Sequence, residues 1–429
     1  MNELKFIEKL LLLEFDDNIT IADKDQWLHL VMRMQQYTDP LMAKGVEDTT
    51  FYVYNRLMSL NEVGGHPGYF GMSVADFNKF NETQSKLWPH KMNATSTHDT
   101  KRGEDVRARL NVIAEIPEEW EKQVKAWSEI NRANKTSLPG LMVPDENDEY
   151  LFYQNLLGAF PFNESEEADL NGRMKEFIIK AIGEAKVHTA WLRPDNAYEE
   201  GCVAFVEQVL KPSDDNQFIK EFRPFQKKVA EYGIYNSLSQ TLLKVISPGL
   251  PDFYQGTELW DFSLVDPDNR RPVDFELRAE LLKQIKDKAR ADILGLIAEL
   301  LATKEDARIK MFLTLKLLEA RKQHLEVFQQ GDYLPLEVSG KFKDNVVAIA
   351  RRYENRVAIA IAPRFFTSLI QPGEYPLGDR VWNDTRLELP PGMPSGWVDA
   401  ICDRTVQADG TMALGQALTH FPVALLVSQ

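Results

Sequence analysis

Hydrophobic side chains recur at helical spacing along most of the chain. In residues 24–37, for example, Trp27, Leu30 and Met34 occupy positions i, i+3 and i+7, the spacing of one buried helix face. Comparable spacing predicts further helices at residues 3–14, 73–88, 104–116, 118–134, 146–158, 166–190, 198–210, 216–246, 276–302 and 305–323.

Three short apolar runs predict strands instead. Pro40 is expected to end the helix before it, so that residues 41–45 form a short strand. Small and β-branched residues at 92–97 predict a buried strand that leads directly into a helix. A similar run begins at about residue 251. Strands followed by helices are the units of an α/β barrel, in which the carboxyl ends of the strands form the active face.

After residue 330 the hydrophobic period changes from helical to two. Residues 346–353 and 356–362 flank the turn-prone pair Glu354-Asn355, and this arrangement predicts a β-hairpin. The many prolines, glycines and short apolar runs that follow predict a small antiparallel β-domain at the end of the chain.

The long interval between the second and third predicted strands indicates an insertion. It spans about 135 residues, far more than an ordinary crossover between neighbouring strands, and its pattern is mostly helical. The expected fold is therefore α/β plus all-β. We predict a partial (β/α)8 barrel in residues 1–117, an inserted helical subdomain in 118–247, the last barrel strand with its helices in 248–325, and the β-domain in 326–429.

Composition narrows the possible partners. The 429 residues carry a net charge of −15 and contain no basic block, which argues against nucleic acid or an anionic membrane surface as a partner. A neutral small molecule such as a sugar is compatible with this charge. The two cysteines, Cys202 and Cys402, suggest neither a disulfide framework nor a metal site, so a reducing cytoplasm is expected. The amino terminus resembles neither a signal peptide nor a transmembrane span.

The segment Asn93–Arg109 contains the densest candidate chemistry. Its strand-like beginning gives way within two residues to His98 and Asp99, and more charges follow. Opposite charges close to a carboxylate keep it ionised, and a fixed anion can stabilise an oxocarbenium ion. Alternatively, Asp99 caps the next helix or pairs with Arg102.

Other candidate residues are equally open to a structural interpretation. His98 could donate to a sugar hydroxyl or be a satisfied structural histidine. His188 and Trp191 lie on a stretch with a helical pattern, and the tryptophan could stack on a sugar ring or pack in the core. The charged loop 266–274 could be an ordered ion-pair loop with a purely structural role. Dinucleotide, phosphate-loop, zinc-protease and serine-hydrolase motifs are absent from the sequence, as is metal-ligand spacing.

Several longer motifs make the prediction specific. They are NATSTHDTKRGEDVRAR from Asn93, MAKGVEDT from Met42, YNRL from Tyr54, SLNEVGG from Ser59, KVHTAW from Lys186, and PDFYQGTELWD from Pro251 together with DPDNRRPVD from Asp266. Together they closely resemble the maltooligosyltrehalose synthase family of the α-amylase (glycoside hydrolase 13) superfamily. The resemblance runs from about residue 30 to the end, whereas generic amylases share only the His-Asp pair and the pattern from Gly249 to Glu258.

The resemblance implies a fold, a reaction and residue roles. The fold is a (β/α)8 barrel with helical insertions and a carboxyl-terminal β-domain. The reaction converts the reducing-end α-1,4 bond of a maltooligosaccharide into an α,α-1,1 bond by retaining double displacement, without a cofactor. Asp99 corresponds to the carboxylate that stabilises the transition state, and His98 binds the glucose at the cleavage subsite. The other substrate-binding residues that the resemblance implies are Lys44, Glu47, Asp48, Lys101, Arg102, His188, Trp191, Tyr254, Glu258, Asp268, Asn269, Arg270 and Arg271.

One departure from the family pattern is important. The family's nucleophile, an aspartate in a Gly-x-Arg-x-Asp-His-type segment, and its glutamate general acid have no counterpart here. The chain is therefore predicted to be a carboxyl-terminal portion with about strands six to eight, inactive alone and completed by a separately encoded amino-terminal half. The alternative is a non-catalytic protein that binds maltooligosaccharides. An ordinary α-glucan hydrolase is disfavoured by the long motifs.

Overall fold

Helices form most of the first three quarters of the chain. The computed structural model describes residues 2–429, except for the side chains of residues 2 and 164. Its helices are α1 (Asn2–Leu11), α2 (Ile21–Met42), α3 (Phe51–Val53), α4 (Val74–Leu87), α5 (Glu104–Ile113), α6 (Pro117–Asn131), α7 (Glu146–Ala159), α8 (Glu167–Ala185), α9 (Asn196–Val209), α10 (Gln217–Ile246), α11 (Phe275–Ala291), α12 (Ile293–Ala302), α13 (Arg308–Gln323), α14 (Leu325–Gln329), α15 (Gly378–Trp382) and α16 (Leu414–Ala417).

The strands before residue 330 have two or three residues, whereas the longest strands after it, β7 and β8, have eight. They are β1 (Met92–Asn93), β2 (Thr136–Leu138), β3 (Leu141–Val143), β4 (Leu250–Pro251), β5 (Asp332–Pro335), β6 (Val338–Ser339), β7 (Val346–Tyr353), β8 (Arg356–Pro363), β9 (Arg386–Glu388), β10 (Gly396–Asp399), β11 (Arg404–Gln407), β12 (Thr411–Ala413) and β13 (Ala424–Ser428).

The carboxyl-terminal β-structure confirms the prediction of antiparallel sheets. One sheet has six strands in the order β11-β10-β13-β8-β7-β5, and a second has three in the order β12-β9-β6. Every pairing in both sheets is antiparallel. The predicted hairpin is β7–β8, in which Tyr353 pairs with Arg356 around the expected two-residue turn.

The predicted barrel strands are much shorter in the structure. β1 and β4 pair in parallel, Met92 with Leu250 and Asn93 with Pro251, and they form a sheet of two strands. The predicted strand at 92–97 ends early because the threonine hydroxyls beyond it bond locally. Thr100, for example, donates to the carbonyl of Thr97 at 3.0 Å. The partial barrel is thus not confirmed, since the parallel element consists of these two short strands.

The strand predicted at residues 41–45 is wrong. Helix α2 continues through Pro40 to Met42 and leads into an eight-residue π-helix, Ala43–Thr50. Thr49 and Thr50 support this wider turn, because their hydroxyls donate to the carbonyls of Lys44 and Gly45, five residues earlier, at 2.7 and 2.9 Å. π-Helices are rare and frequently occur at functional sites.

Two helix boundaries also differ from the prediction. Helix α8 ends at Ala185, where Lys186 adopts a left-handed conformation with φ of 59°, so His188 and Trp191 lie in a loop and not on a helix. The helix predicted for 276–302 is interrupted at Asp292. This residue has an extended backbone, and its side chain caps the amino terminus of α12 by accepting a hydrogen bond from the Gly295 amide.

Helix α10 connects the main parts of the core. It packs against α5 so closely that a Cβ on Gly233 would lie 2.6 Å from Cγ of Arg109. Its other face meets the carboxyl-terminal sheet. There Ser239 donates to the carbonyl of Pro363 at 2.6 Å, and Arg351 of β7 donates to the carbonyl of Ile246 at 3.1 Å. This packing fixes α5, and the turn that precedes α5, against the body of the protein.

In the part of the chain that the structure describes, no helix combines the length and the apolar character needed to cross a membrane.

Candidate functional site

The predicted catalytic residue lies in a tight turn before α5. In this turn the Thr97 hydroxyl accepts the amide of Asp99 at 3.2 Å, and the Thr100 hydroxyl bonds back to the carbonyl of Thr97. The side chain of His98 is exposed, and that of Asp99 is 48% exposed. The turn therefore presents an imidazole and a carboxylate to solvent on a fixed backbone.

A chain of alternating charges connects this turn to the π-helix. The buried ammonium of Lys101 lies 2.9 Å from Asp48 and 3.6 Å from Asp99. Asp48 also accepts from Lys44 at 2.5 Å. The structure thus brings four of the predicted site residues together, although they come from two segments of the sequence.

Each charged group in this series favours the ionised form of its neighbours. Burial alone would raise the pKa of the Asp48 carboxyl, but hydrogen bonds from Lys101 and Lys44 and their charges lower it below its ordinary value. Burial would lower the pKa of the Lys101 ammonium, but Asp48, followed by Asp99 and Glu47, raises it above its ordinary value. At neutral pH both partners are ionised. Glu47 itself accepts the backbone amide of Gly64 at 2.9 Å.

Arg102 points away from this surface into the interior. Its side chain is buried and donates to the Asn155 amide oxygen at 2.7 Å and to the carbonyl of Asn61 at 3.3 Å. Burial lowers the pKa of its guanidinium to about 10. The structure places this predicted substrate-binding residue beneath the turn, where it contacts protein atoms.

The loop 266–271 packs directly on the Asp99 turn. Asp268 accepts two hydrogen bonds from Arg173, each 2.8 Å, and one from the amide of Leu264 at 2.7 Å. Asn269 donates to the carbonyl of His98 at 3.0 Å. The side chains of Arg270 and Arg271 are about half exposed beside them. Two of the four predicted residues of this loop, Asn269 and Arg270, hydrogen-bond to the turn, and Asp268 and Arg271 lie in the same loop.

His188 and Trp191 occupy the loop after α8, close to the π-helix. The His188 ring lies 2.8 Å from Asp145 and stacks on Tyr198 with 4.4 Å between ring centroids. Trp191 is 56% exposed. In the same loop, Lys186 donates to the Thr49 hydroxyl at 2.6 Å. The loop therefore borders the same face as Lys44 and Asp48.

Tyr254 and Glu258 are held in a separate turn after β4. Glu258 pairs with Arg278 at 3.0 Å and accepts the amide of Gly256 at 3.1 Å, and the carbonyl of Tyr254 accepts the hydroxyl of Thr257 at 2.7 Å. None of the hydrogen bonds or ion pairs recorded for residues 2–429 joins Glu258 to Asp99.

Several residues that shape the site were not among those predicted. Glu62 supports the backbone of the turn, Asp145 holds His188, and Arg173 holds Asp268. A buried network behind the turn joins Glu104 and Asp105 to lysines from distant helices. Glu62, Glu104 and Asp105 fall within the quoted motifs, whereas Asp145, Arg173 and the two lysines do not. The others are ordinary helix or loop residues whose role depends on distant contacts.

A search against protein-family models finds no match. Comparisons with individual sequences and solved structures nevertheless find related proteins. A curated relative from Mycobacterium tuberculosis, named as a maltooligosyl trehalose synthase, is 36% identical over 396 residues, which are 92% of this chain and 45% of the relative.

The solved structures agree with this match. A mutant of the maltooligosyltrehalose synthase from Arthrobacter ramosus superposes with a TM-score of 0.76 at 32% identity, over 92% of this chain and 46% of that one. A Sulfolobus tokodaii protein, described as a hypothetical maltooligosyl trehalose synthase, superposes with a TM-score of 0.67 at 30% identity, over 96% of this chain and 51% of that one.

These matches show that the chain is homologous to one part of a longer synthase. The chain spans about half the length of the relatives it matches. The relatives are maltooligosyltrehalose synthases, and the matched part is carboxyl-terminal. The resemblance that the motifs indicated is thereby confirmed.

Proposed function

We propose that this chain supplies one wall of the saccharide site of a maltooligosyltrehalose synthase, with Asp99 as the carboxylate that stabilises the oxocarbenium-like transition state. The observation that carries the proposal is the half-exposed Asp99 carboxylate on a rigid turn, next to His98 and bordered by the Lys101–Asp48–Lys44 chain. Fixed charges of this kind stabilise charge that develops on a substrate without having to reorganise.

The surrounding residues suit a maltooligosaccharide. His98 on the turn and Arg270 and Arg271 on the loop that packs against it offer exposed hydrogen-bond donors, and Lys44 offers another. Trp191 presents an exposed ring, which can stack on a sugar face. We propose that these groups bind the reducing-end glucose units, and that Glu258 with Tyr254 shapes a more distant part of the same site.

Retaining glycoside chemistry needs two carboxyl groups about 5–5.5 Å apart, one as nucleophile and one as general acid. Asp99 in the stabilising role leaves both of these functions to other groups. We propose that they reside on the part of the synthase that lies outside the matched half, and that the present chain alone does not catalyse the reaction. We also place the reaction in the cytoplasm.

A second polypeptide carrying the missing half is the partner we propose. The support is an open groove of about 1080 Å³ beside β1, between α4 and the α5–α10 pair. Its rim includes the exposed rings of Tyr69 and Phe70. Large exposed apolar patches are typical of interaction sites. β1 and β4 have only each other as strand partners among the described residues, so their outer edges could continue a barrel sheet.

The test is an assay of reducing ends with maltopentaose as substrate. The purified chain should leave the reducing ends unchanged, and addition of an amino-terminal half of a maltooligosyltrehalose synthase should make them disappear. The Asp99→Asn variant should abolish the restored activity. Conversion by the chain alone would overturn the division of roles, and restored activity in Asp99→Asn would overturn the role of Asp99.

The alternative function, non-catalytic binding of maltooligosaccharides, is favoured by the exposed Trp191 ring beside the charged face. Calorimetry with maltopentaose separates the two functions. Binding that weakens in His98→Ala, without any restored activity on addition of the other half, would support the binding protein.

A further inference from the structure

The carboxylate of Glu62 lies beneath the Asp99 turn and holds its backbone. One oxygen, Oε1, accepts the amide of Lys101 at 2.7 Å, and the other, Oε2, accepts the amide of Arg102 at 3.2 Å. Oε1 also accepts the amide of Val63 at 2.8 Å, and Arg107 lies 3.5 Å from Oε2. The side chain is only 12% exposed, so most of its surface contacts other protein atoms and little of it faces solvent.

Glu62 is itself anchored to the segment that follows the π-helix. The side chain of its neighbour Asn61 donates to the carbonyls of Phe51 and Tyr54, each at 2.9 Å. The carbonyl of Asn61 accepts from the Arg102 guanidinium at 3.3 Å. The residue that holds the turn is therefore anchored to the segment directly after the π-helix that carries Lys44 and Asp48.

Two consecutive amides bound to one carboxylate fix two consecutive peptide planes, those on either side of Lys101. The orientation of these planes sets the direction of the Lys101 side chain, and hence the 2.9 Å and 3.6 Å separations of its ammonium from Asp48 and Asp99. Hydrogen bonds to a charged acceptor are stronger than those between neutral groups, which suits Glu62 to this task.

We propose that Glu62 is a positioning residue of the saccharide site, which acts through the amides of Lys101 and Arg102 and without touching the ligand. Only the saccharide part of this inference rests on the proposed function. The geometric part concerns the turn itself and can be measured in the absence of sugar.

The test is residue-resolved hydrogen–deuterium exchange of the full chain and its variants. In Glu62→Ala, the amides of Lys101 and Arg102 should both exchange roughly tenfold faster, because a hydrogen bond to a charged group is lost at each. In Glu62→Gln, one of the two should remain protected, because the amide side chain has a single acceptor oxygen. The control Glu319→Gln, at an exposed position on α13, should change neither.

Maltopentaose affinity, measured by calorimetry, should fall in the order wild type, Glu62→Gln, Glu62→Ala, while the control keeps the wild-type value. Unchanged exchange at both amides in Glu62→Ala would overturn the proposal, and so would exchange that rises equally along the whole chain. Faster exchange with undiminished affinity would overturn the positioning role. Absence of maltopentaose binding to the wild-type chain would instead count against saccharide binding, and the exchange pattern would still decide what Glu62 does.

Discussion

Two clusters of charged side chains flank the amino terminus of α5, and they differ in what surrounds them. The outer cluster, Lys44–Asp48–Lys101–Asp99, ends in a half-exposed carboxylate. In the inner cluster, the Lys310 ammonium lies 2.7 Å from both Glu104 and Asp105, and Lys244 lies 3.5 Å from Glu104. All four inner side chains are buried.

The two clusters differ in whether their charged groups can still bind a ligand from solvent. Inner-cluster groups also bind the backbone around them: Asp105 accepts the amide of Asp261 at 2.7 Å, and Lys310 donates to the carbonyl of Leu259 at 3.2 Å. The inner cluster thus fastens α5, α10, α13 and the loop after β4 to one another. The outer cluster leaves Asp99 open to solvent. The same residue types therefore serve architecture in one place and offer a binding surface in the other.

The largest effect is expected from Lys310→Met. Two buried carboxylates would lose their shared cation, and breaking a buried ion pair on one side costs about 3–5 kcal/mol. Denaturant unfolding should report this loss of stability. Lys125→Met removes a lysine that is 73% exposed and whose partner Glu121 is 65% exposed, so it should cost less than about 1 kcal/mol. Equal losses in the two variants would mean that the inner cluster is no more important than a surface pair.

The inner cluster should also affect how the free energy of unfolding depends on pH. Burial opposes ionisation of Glu104, but the charges of Lys310 and Lys244 hold its pKa well below the ordinary 4.5. A carboxyl whose pKa falls on folding contributes stability above its unfolded pKa and loses it as the pH drops toward the folded value. The contribution of Glu104 to the unfolding free energy should therefore decline as the pH falls below about 4.5. Glu104→Gln should be less stable at pH 7 and decline less steeply; parallel curves would contradict the assignment.

A smaller effect on stability is expected from Lys101→Met in the outer cluster. Asp48 would keep Lys44 as a partner, so the loss should be about 1–3 kcal/mol. The proposed site predicts that maltopentaose affinity drops more in this variant than in Lys310→Met at a temperature where both are folded. Calorimetry and thermal unfolding on the same samples give both numbers. A variant that loses stability but keeps its affinity would place Lys101 with the inner cluster.

The smallest effect is expected from Lys44→Met. The lysine side chain is 73% exposed, and exposed ion pairs contribute only about 0–1 kcal/mol. Its unfolding midpoint should stay close to that of the wild type, even in low salt. A loss comparable to that of Lys101→Met would show that the outer cluster is cooperative along its whole length.

The sequence predicted two of the longest elements well. α10 and the β7–β8 hairpin follow directly from helical spacing and from alternation around a turn. The strand prediction for residues 41–45 was wrong because a short apolar run does not distinguish a strand from a helix. The threonine hydrogen bonds that favour the π-helix leave no periodic pattern in the sequence. The strand predicted at 92–97 was too long because the threonine hydroxyls beyond Asn93 bond locally, and the alternation of side chains does not reveal such bonds.

The candidate site was predictable only in part. The turn and the loop 266–271 lie in motifs and meet in the structure, with Asn269 joining them. Glu62 was missed as a site residue because a carboxylate that binds backbone amides leaves no spacing pattern. Lys310 was missed because its partners lie about 200 residues away, and nothing local marks a lysine that will be buried.

The contacts of α10 have a consequence for dividing this protein. Ser239 and the carbonyl of Ile246 hydrogen-bond to the carboxyl-terminal sheet, and the opposite side of the same helix holds α5. A truncation at residue 325 would remove the sheet and uncover one face of the helix that braces the Asp99 turn. Shortened versions made to isolate the turn should therefore keep the final hundred residues or replace them with another apolar surface.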